Sequence, residues 1–417
     1  MNLIIRNAKI IDTKSSFHNQ VVDIKINKDL IENIAIGIEN SDNFEELKLE
    51  NLHVSQGWFD TSVSFGEPGF EDRETIVNGL QVAAKSGFTG IALQPNSFPI
   101  LDNQSQINFV KQKANDFATQ LFPIGALTKN SEGNELAELF DMKNAGAIAF
   151  GDYNKSLENA NLLKISLQYT QDFDGLVIGF CQDNTIKGKG LVNEGIVSTK
   201  LGLKGIASLA EELIIARNLF ILEYTGGKLH IPTISSAKSV QLIKEAKAKG
   251  LNVTCSVAVH NLIFTDSAIE GFDTLFKVSP PLRTEDDRKA LIAGVLDHTI
   301  DCITSDHNPI DIENKKREFD LAKNGTIGLE SAFGSLQTVL PLDIIIEKLT
   351  SGKAIFNIET QFLMEGQKAN ITLFNPEGNS IFGIENILSK SKNSAFLNQN
   401  LKGKVYGIYN QNQLILS

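Results

Sequence analysis

Between about residues 55 and 350 the chain alternates short, almost continuously apolar runs with longer stretches spaced for helices. "RETIVNGLQVAAKSG" has apolar positions at helical spacing, and "FTGIALQPN" follows as a run that ends in a polar residue. The same exchange recurs along the chain, and several helical stretches close on Gly before the next apolar run, as a helix C-terminal cap does. The runs are "GWFDTSVS", "FTGIALQPN", "QLFPIGALT", "AIAFGDY", "LVIGFCQD", "KLHIPTIS", "LNVTCSVAVHN" and "DCITSDHNP". Eight runs, each separated by enough chain for a crossover helix and apolar on both faces, predict a closed parallel (β/α)8 barrel rather than an open doubly wound sheet.

The two ends of the chain read differently. "LIIRNAKIIDTKSSFHNQVVDIKINKDLIENI" alternates with period 2, and so do "KANITLFNPEGNS" and "LKGKVYGIYNQNQLILS". Short sheets rarely stand alone, so residues 1–54 and 356–417 are expected to pair as one small β-sandwich beside a barrel of residues 55–355.

Composition adds exclusions. The 417 residues carry 39 Lys and Arg against 50 Asp and Glu, a net charge of -11, with the basic residues scattered. That argues against a nucleic-acid surface. No run approaches the length of a membrane span. The start "MNLIIRNAKIID" lacks a leader pattern, and a cytoplasmic protein is expected. The cysteines Cys181, Cys255 and Cys302 are odd in number and far apart, which predicts reduced thiols. Only six histidines occur, and no two lie within five residues of each other, so no local metal-binding pair exists.

In a barrel of this kind the chemistry sits at the C-terminal ends of the strands. Those ends carry Ser62, Ser64, Asn96, Asp152, Cys181, Thr233, His260 and Asp306. Asp60, Ser62 and Ser64 alternate along the first run, so they share a face of one strand, and the turn Glu67-Pro68-Gly69 follows.

The order of motifs resembles the dihydroorotase branch of the amidohydrolase superfamily, close to hydantoinases and allantoinases. "GWFDTSVSFGEPGFEDRETIVNG" is similar to the family's Gly-x-x-Asp-x-His-x-His-x-Arg-Glu-Pro-Gly signature, and "LQPNSFP", "FKVSPPLR" and "ITSDHNPI" are similar to its later motifs. The resemblance implies a two-zinc site of four histidines and two carboxylates, whose metal-activated hydroxide opens a cyclic amide. Carried over by position, the four imidazoles fall on Ser62, Ser64, Phe180 and Thr233. The carboxylates that remain are Asp60, Asp152 at the bridging position, and Asp306 at the position of the last ligand and general base. The substrate-binding Arg falls on Gly66, the Asn before Pro-Pro on Ser279 and the last His on Ile310, so that Asn96 alone persists of four.

Hydroxyls are poor zinc ligands because they stay protonated near neutral pH, so no zinc is expected. The weaker alternative is one hard divalent cation held by Asp60, Asp152 and Asp306 in a working cyclic-amide hydrolase. The main expectation is a silent homologue of pyrimidine biosynthesis. Degenerate members of the family are non-catalytic subunits of aspartate carbamoyltransferase, and the resemblance implies such a partner, in a homodimer or hetero-oligomer. A third reading is a small-molecule sensor using the emptied barrel mouth. Bland readings accompany the individual residues: Asp306, before His307, as a strand-end carboxylate hydrogen-bonded to neighbouring backbone, His230 and His260-Asn261 as structural groups, and Cys181 as packing.

Overall fold

The computed structural model describes residues 1–41 and 43–417. From the N-terminus, β1 (Asn2–Ile10), β2 (Val21–Asn27), β3 (Leu30–Ala35), β4 (Glu45–Leu47) and β5 (His53–Gln56) precede the barrel. The first five barrel strands are β6 (Trp58–Val63), β7 (Phe88–Leu93), β8 (Gln120–Gly125), β9 (Ala149–Phe150) and β10 (Val177–Ile178). A small parallel pair, β11 (Val192–Asn193) and β12 (Gly205–Ile206), interrupts the series before β13 (Leu229–Ile231), β14 (Val253–Ala258) and β15 (Cys302–Thr304). The chain ends in β16 (Ile371–Ile381), β17 (Asn400–Asn410) and β18 (Gln413–Leu416).

The eight predicted runs form one parallel sheet in sequence order from β6 to β15. The circle closes where Val63 pairs with His307 and the Ser64 N–H donates to the His307 carbonyl at 2.8 Å. Phe59, Ala92, Ile124, Ala149 and Ile178 fill the barrel interior together with Phe356. β9 and β10 are shorter than their apolar runs, but the ladder continues one residue further through the N–H groups of Gly151 and Gly179. The β11/β12 pair has no counterpart in the alternating pattern, because each strand is only two residues long.

The helices follow from their caps and faces. In Ile76–Lys85 the Thr75 hydroxyl accepts the Asn78 N–H, and Ile76, Leu80, Ala83 and Ala84 form the buried face. Both chain ends join in one sheet, β18-β17-β16-β5-β1-β2-β3 with β4 beside β1, around a common apolar core. Trp58 fixes this sheet to the barrel: its ring stacks on Phe333 at 5.0 Å and its indole N–H donates to Ser55 Oγ at 3.0 Å. Among the described residues no helix is long and apolar enough to cross a membrane.

Candidate functional site

Asp60 projects from β6 into a fully enclosed position. One carboxylate oxygen accepts the Ser62 N–H at 3.0 Å and the Thr304 hydroxyl, and the other accepts the Ser305 N–H at 2.9 Å. Burial raises its pKa, and these hydrogen bonds oppose the rise. The group laces the first barrel strand to the last.

Ser62, also buried, donates from Oγ to Asp306 Oδ1 at 3.0 Å and accepts from the Gln94 amide at 3.1 Å. Asp306 adopts φ +48°, a left-handed backbone that Asp tolerates better than most residues, and its N–H reaches Thr304 Oγ1 at 3.1 Å. Burial pushes its pKa up to about 7; the Ser62 bond lowers it and the Asp60 charge raises it. Ser64 and Asn96 bond to each other, amide nitrogen to hydroxyl oxygen, at 2.7 Å. Two residues at expected ligand positions are therefore engaged with residues the sequence singled out beside them.

Asp152 departs from expectation. It does not face the other two carboxylates: its oxygens accept the N–H groups of Leu127 at 3.0 Å and Thr128 at 3.1 Å and the Thr128 hydroxyl at 2.6 Å. It fastens the loop after β8 and lines a polar rim cavity of about 580 Å³. The next residue, Tyr153, turns inward on a left-handed backbone of φ +54°, and Asp306 is the charge its phenol senses. Sequence reading missed Tyr153 because nothing in the string marks a bulky residue for that conformation. It also missed Gln94, although that residue lies two positions before Asn96 at the end of β7.

The remaining two ligand positions are closed. Phe180 is buried and brings no lone pair. Thr233 sits at φ +47° with its N–H donating to Ser256 Oγ at 3.1 Å. His230 is held between Thr254 Oγ1 at 2.9 Å and Ser256 Oγ at 3.2 Å, and burial drops its pKa to about 3. His260 and His307 are likewise buried and neutral, each with a pKa pushed down to about 3. The His307 Nδ1 accepts from the Gly328 N–H at 3.3 Å. The Cys181 thiol is pushed above its ordinary range by burial, which removes it as a nucleophile.

The substrate-binding positions give the same picture. Gly66 has φ +109°, and a Cβ there would lie 2.7 Å from the Phe70 carbonyl oxygen. An arginine cannot be restored without moving backbone. Gly66→Arg is expected to destabilise the fold by about 1–3 kcal/mol, read by urea unfolding, and to supply no carboxylate clamp. Ser279 is half-buried before a cis Pro280. Ile310 is buried, donates its N–H to Asn393 Oδ1 at 3.0 Å, and lines a separate groove with Leu275 and Ile312. The Arg283 of "PPLR" is not free for a ligand, since it bonds Ser235 Oγ at 3.1 Å, Asn193 Oδ1 at 3.0 Å and the Ile206 carbonyl at 2.7 Å.

Among the described residues no group of three or more His, Cys, Asp or Glu is placed to hold a metal ion. Asp60 and Asp306 meet at Ser62, but Asp152 is elsewhere. The donors present fit neither a two-zinc centre nor a single cation bound by all three carboxylates.

Comparison with known proteins adds lineage. Residues 53–239 match a family model described as Dihydro-orotase-like. The chain is 39% identical over 414 residues to a dihydroorotase of Pelotomaculum thermopropionicum, covering 97% of this chain and 96% of that one. It is 40% identical over 414 residues to a dihydroorotase of Caldicellulosiruptor saccharolyticus, with the same coverage. Among solved structures, the L-hydantoinase (dihydropyrimidinase) of Arthrobacter aurescens superposes with a TM-score of 0.85 at 19% identity, covering 100% of this chain and 96% of that one. A D-hydantoinase of Thermus sp. gives 0.80 at 17% identity, over 99% and 94%.

Proposed function

The chain belongs to the dihydroorotase family, and from that premise we propose that it no longer hydrolyses dihydroorotate and serves as a non-catalytic partner in pyrimidine biosynthesis. One observation carries this reading. The four imidazole positions hold Ser62, Ser64, Phe180 and Thr233, and the carboxylate at the bridging position faces away from the mouth. A hydroxide nucleophile needs a metal or a base to form it at neutral pH, and among the described residues no zinc ligand set is assembled. A barrel that keeps its packing while its site is lost fits retention for its surface, because fold persists through the core and chemistry lives in the site.

Aspartate carbamoyltransferase is the partner we propose, from the role of degenerate members of this family. The test is purification with and without the same organism's transferase. Co-elution, with a change in transferase activity, is expected; separate elution and no effect would count against the partner. Silence is tested apart from it, by metal analysis and assay in both directions with added zinc. About one equivalent of tightly bound zinc together with turnover would overturn silence.

Restoring Ser62→His and Ser64→His together is expected to give no measurable turnover, since Phe180, Thr233 and Gly66 still leave metals and substrate unheld. The two imidazoles also enter sites whose serines are 4% and 3% exposed. Overpacking is expected to lower stability by about 1–3 kcal/mol per site, seen as a lower urea midpoint.

A further inference from the structure

We propose that the chain binds a small phosphate-type oxyanion in a cavity on the underside of the barrel, with the Lys353 ammonium as its principal contact. The cavity, about 600 Å³, opens at the N-terminal ends of β7 and β8, where the barrel meets the start of β16. It lies at the opposite end of the strands from Ser62 and Asp306, so its occupation is independent of whether the mouth is silent.

Lys353 is 3% exposed. Its Nζ donates to Asn370 Oδ1 at 3.2 Å, and that oxygen already accepts from Thr89 Oγ1 at 2.8 Å. Among the described residues no carboxylate pairs with this ammonium. A lysine has three donors, and a buried cation without a counter-charge is costly. The other buried lysines illustrate the contrast: the Lys315 ammonium is met by the carbonyls of Lys277, Lys323 and Gly325 at 2.7–3.1 Å.

The surroundings of Lys353 are positive in an acidic protein. Lys111, Lys143 and Lys368 line the same cavity, against the two carboxylates of Asp29 and Glu359. Asp29 is in part engaged, its Oδ1 accepting the Asn412 N–H at 3.1 Å. With Lys353 protonated, four lysines and two carboxylates leave an excess of two positive charges, which matches a phosphate dianion better than a single carboxylate. Burial pulls Lys353 down to about pH 7, so phosphate binding just above neutrality is expected to be coupled to proton uptake.

The experiment is calorimetric titration of the full-length chain with inorganic phosphate and with glycerol 3-phosphate, ionic strength held constant with chloride. Saturable single-site binding is expected. Lys353→Met is expected to weaken it at least about tenfold and the rim pair Lys143→Gln with Lys368→Gln roughly threefold to tenfold, in line with the loss of charge-assisted contacts. Lys187→Gln with Lys189→Gln, on another lysine-rich surface, is expected to change nothing. Tighter binding of the monoester would support the site and identify its ligand as a phosphate ester; equal binding would identify inorganic phosphate. Absence of saturable binding overturns the proposal, as does unchanged affinity in Lys353→Met. Should that variant fail to fold, the rim pair decides: unchanged affinity there removes the cavity as the site.

Discussion

Asp60→Ala is expected to lower the unfolding free energy by about 3–5 kcal/mol, the cost of leaving fixed buried donors without an acceptor. The carboxylate receives the N–H groups of Ser62 and Ser305 and the hydroxyl of Thr304, and it is fully buried. The hydroxyl can rotate to another acceptor; the two N–H groups cannot. Asp60→Asn keeps the shape and is still expected to cost about 2 kcal/mol, because one amide orientation sets Nδ2 against the Ser305 N–H and the other against the Ser62 N–H. Urea unfolding of the three chains checks this. Equal midpoints would show that Asp60 does not hold β6 to β15, and would return it to consideration as a site residue.

That dual status of Asp60 marks how far the sequence could be read. The barrel was legible because its strands are apolar runs and several of its helices, such as Ile76–Lys85 and Ala237–Ala248, carry a buried apolar face and a side-chain cap, signals that act within about ten residues. The joined chain ends were legible from period-2 alternation at both termini. The lost imidazoles were legible as residue types, since Ser62, Ser64, Phe180 and Thr233 need only be named to be seen as poor zinc ligands. What was not legible is direction. Whether a carboxylate at a strand end points into the mouth or into a neighbouring loop depends on one backbone torsion, and "GDYN" does not encode that Tyr153 takes the inward place while Asp152 binds Thr128. The Lys353 cavity was invisible for a related reason. Its walls come from β7, β8, the start of β16 and a helix more than two hundred residues along the chain, and no local pattern joins them.

Asp306 supplies the second large effect, and its sign follows from burial. In the unfolded chain the carboxyl loses its proton near the ordinary value of about 4; in the folded chain it holds it to about 7. Between those values the unfolded state binds fewer protons than the folded state, so this group's contribution to stability is fully present at low pH and is lost as pH rises from about 4 to 7. The gap between those values corresponds to roughly 4 kcal/mol at most, reduced where solvent reaches the carboxyl. Asp306→Asn removes the titration, keeps an oxygen for the Ser62 hydroxyl, and suits the φ of +48° because Asn visits that region readily. The variant is therefore expected to match the parent near pH 4 and to exceed it by roughly 2–4 kcal/mol above pH 7. Asp60, whose pKa is also raised, titrates in both chains, and only its coupling to Asp306 remains in the difference. A working metal site would require the reverse, an ionised Asp306 whose amide replacement weakens the folded protein at pH 8. Urea unfolding of the two chains from pH 4 to pH 8 thus separates a carboxyl held neutral by burial from one kept ionised for chemistry.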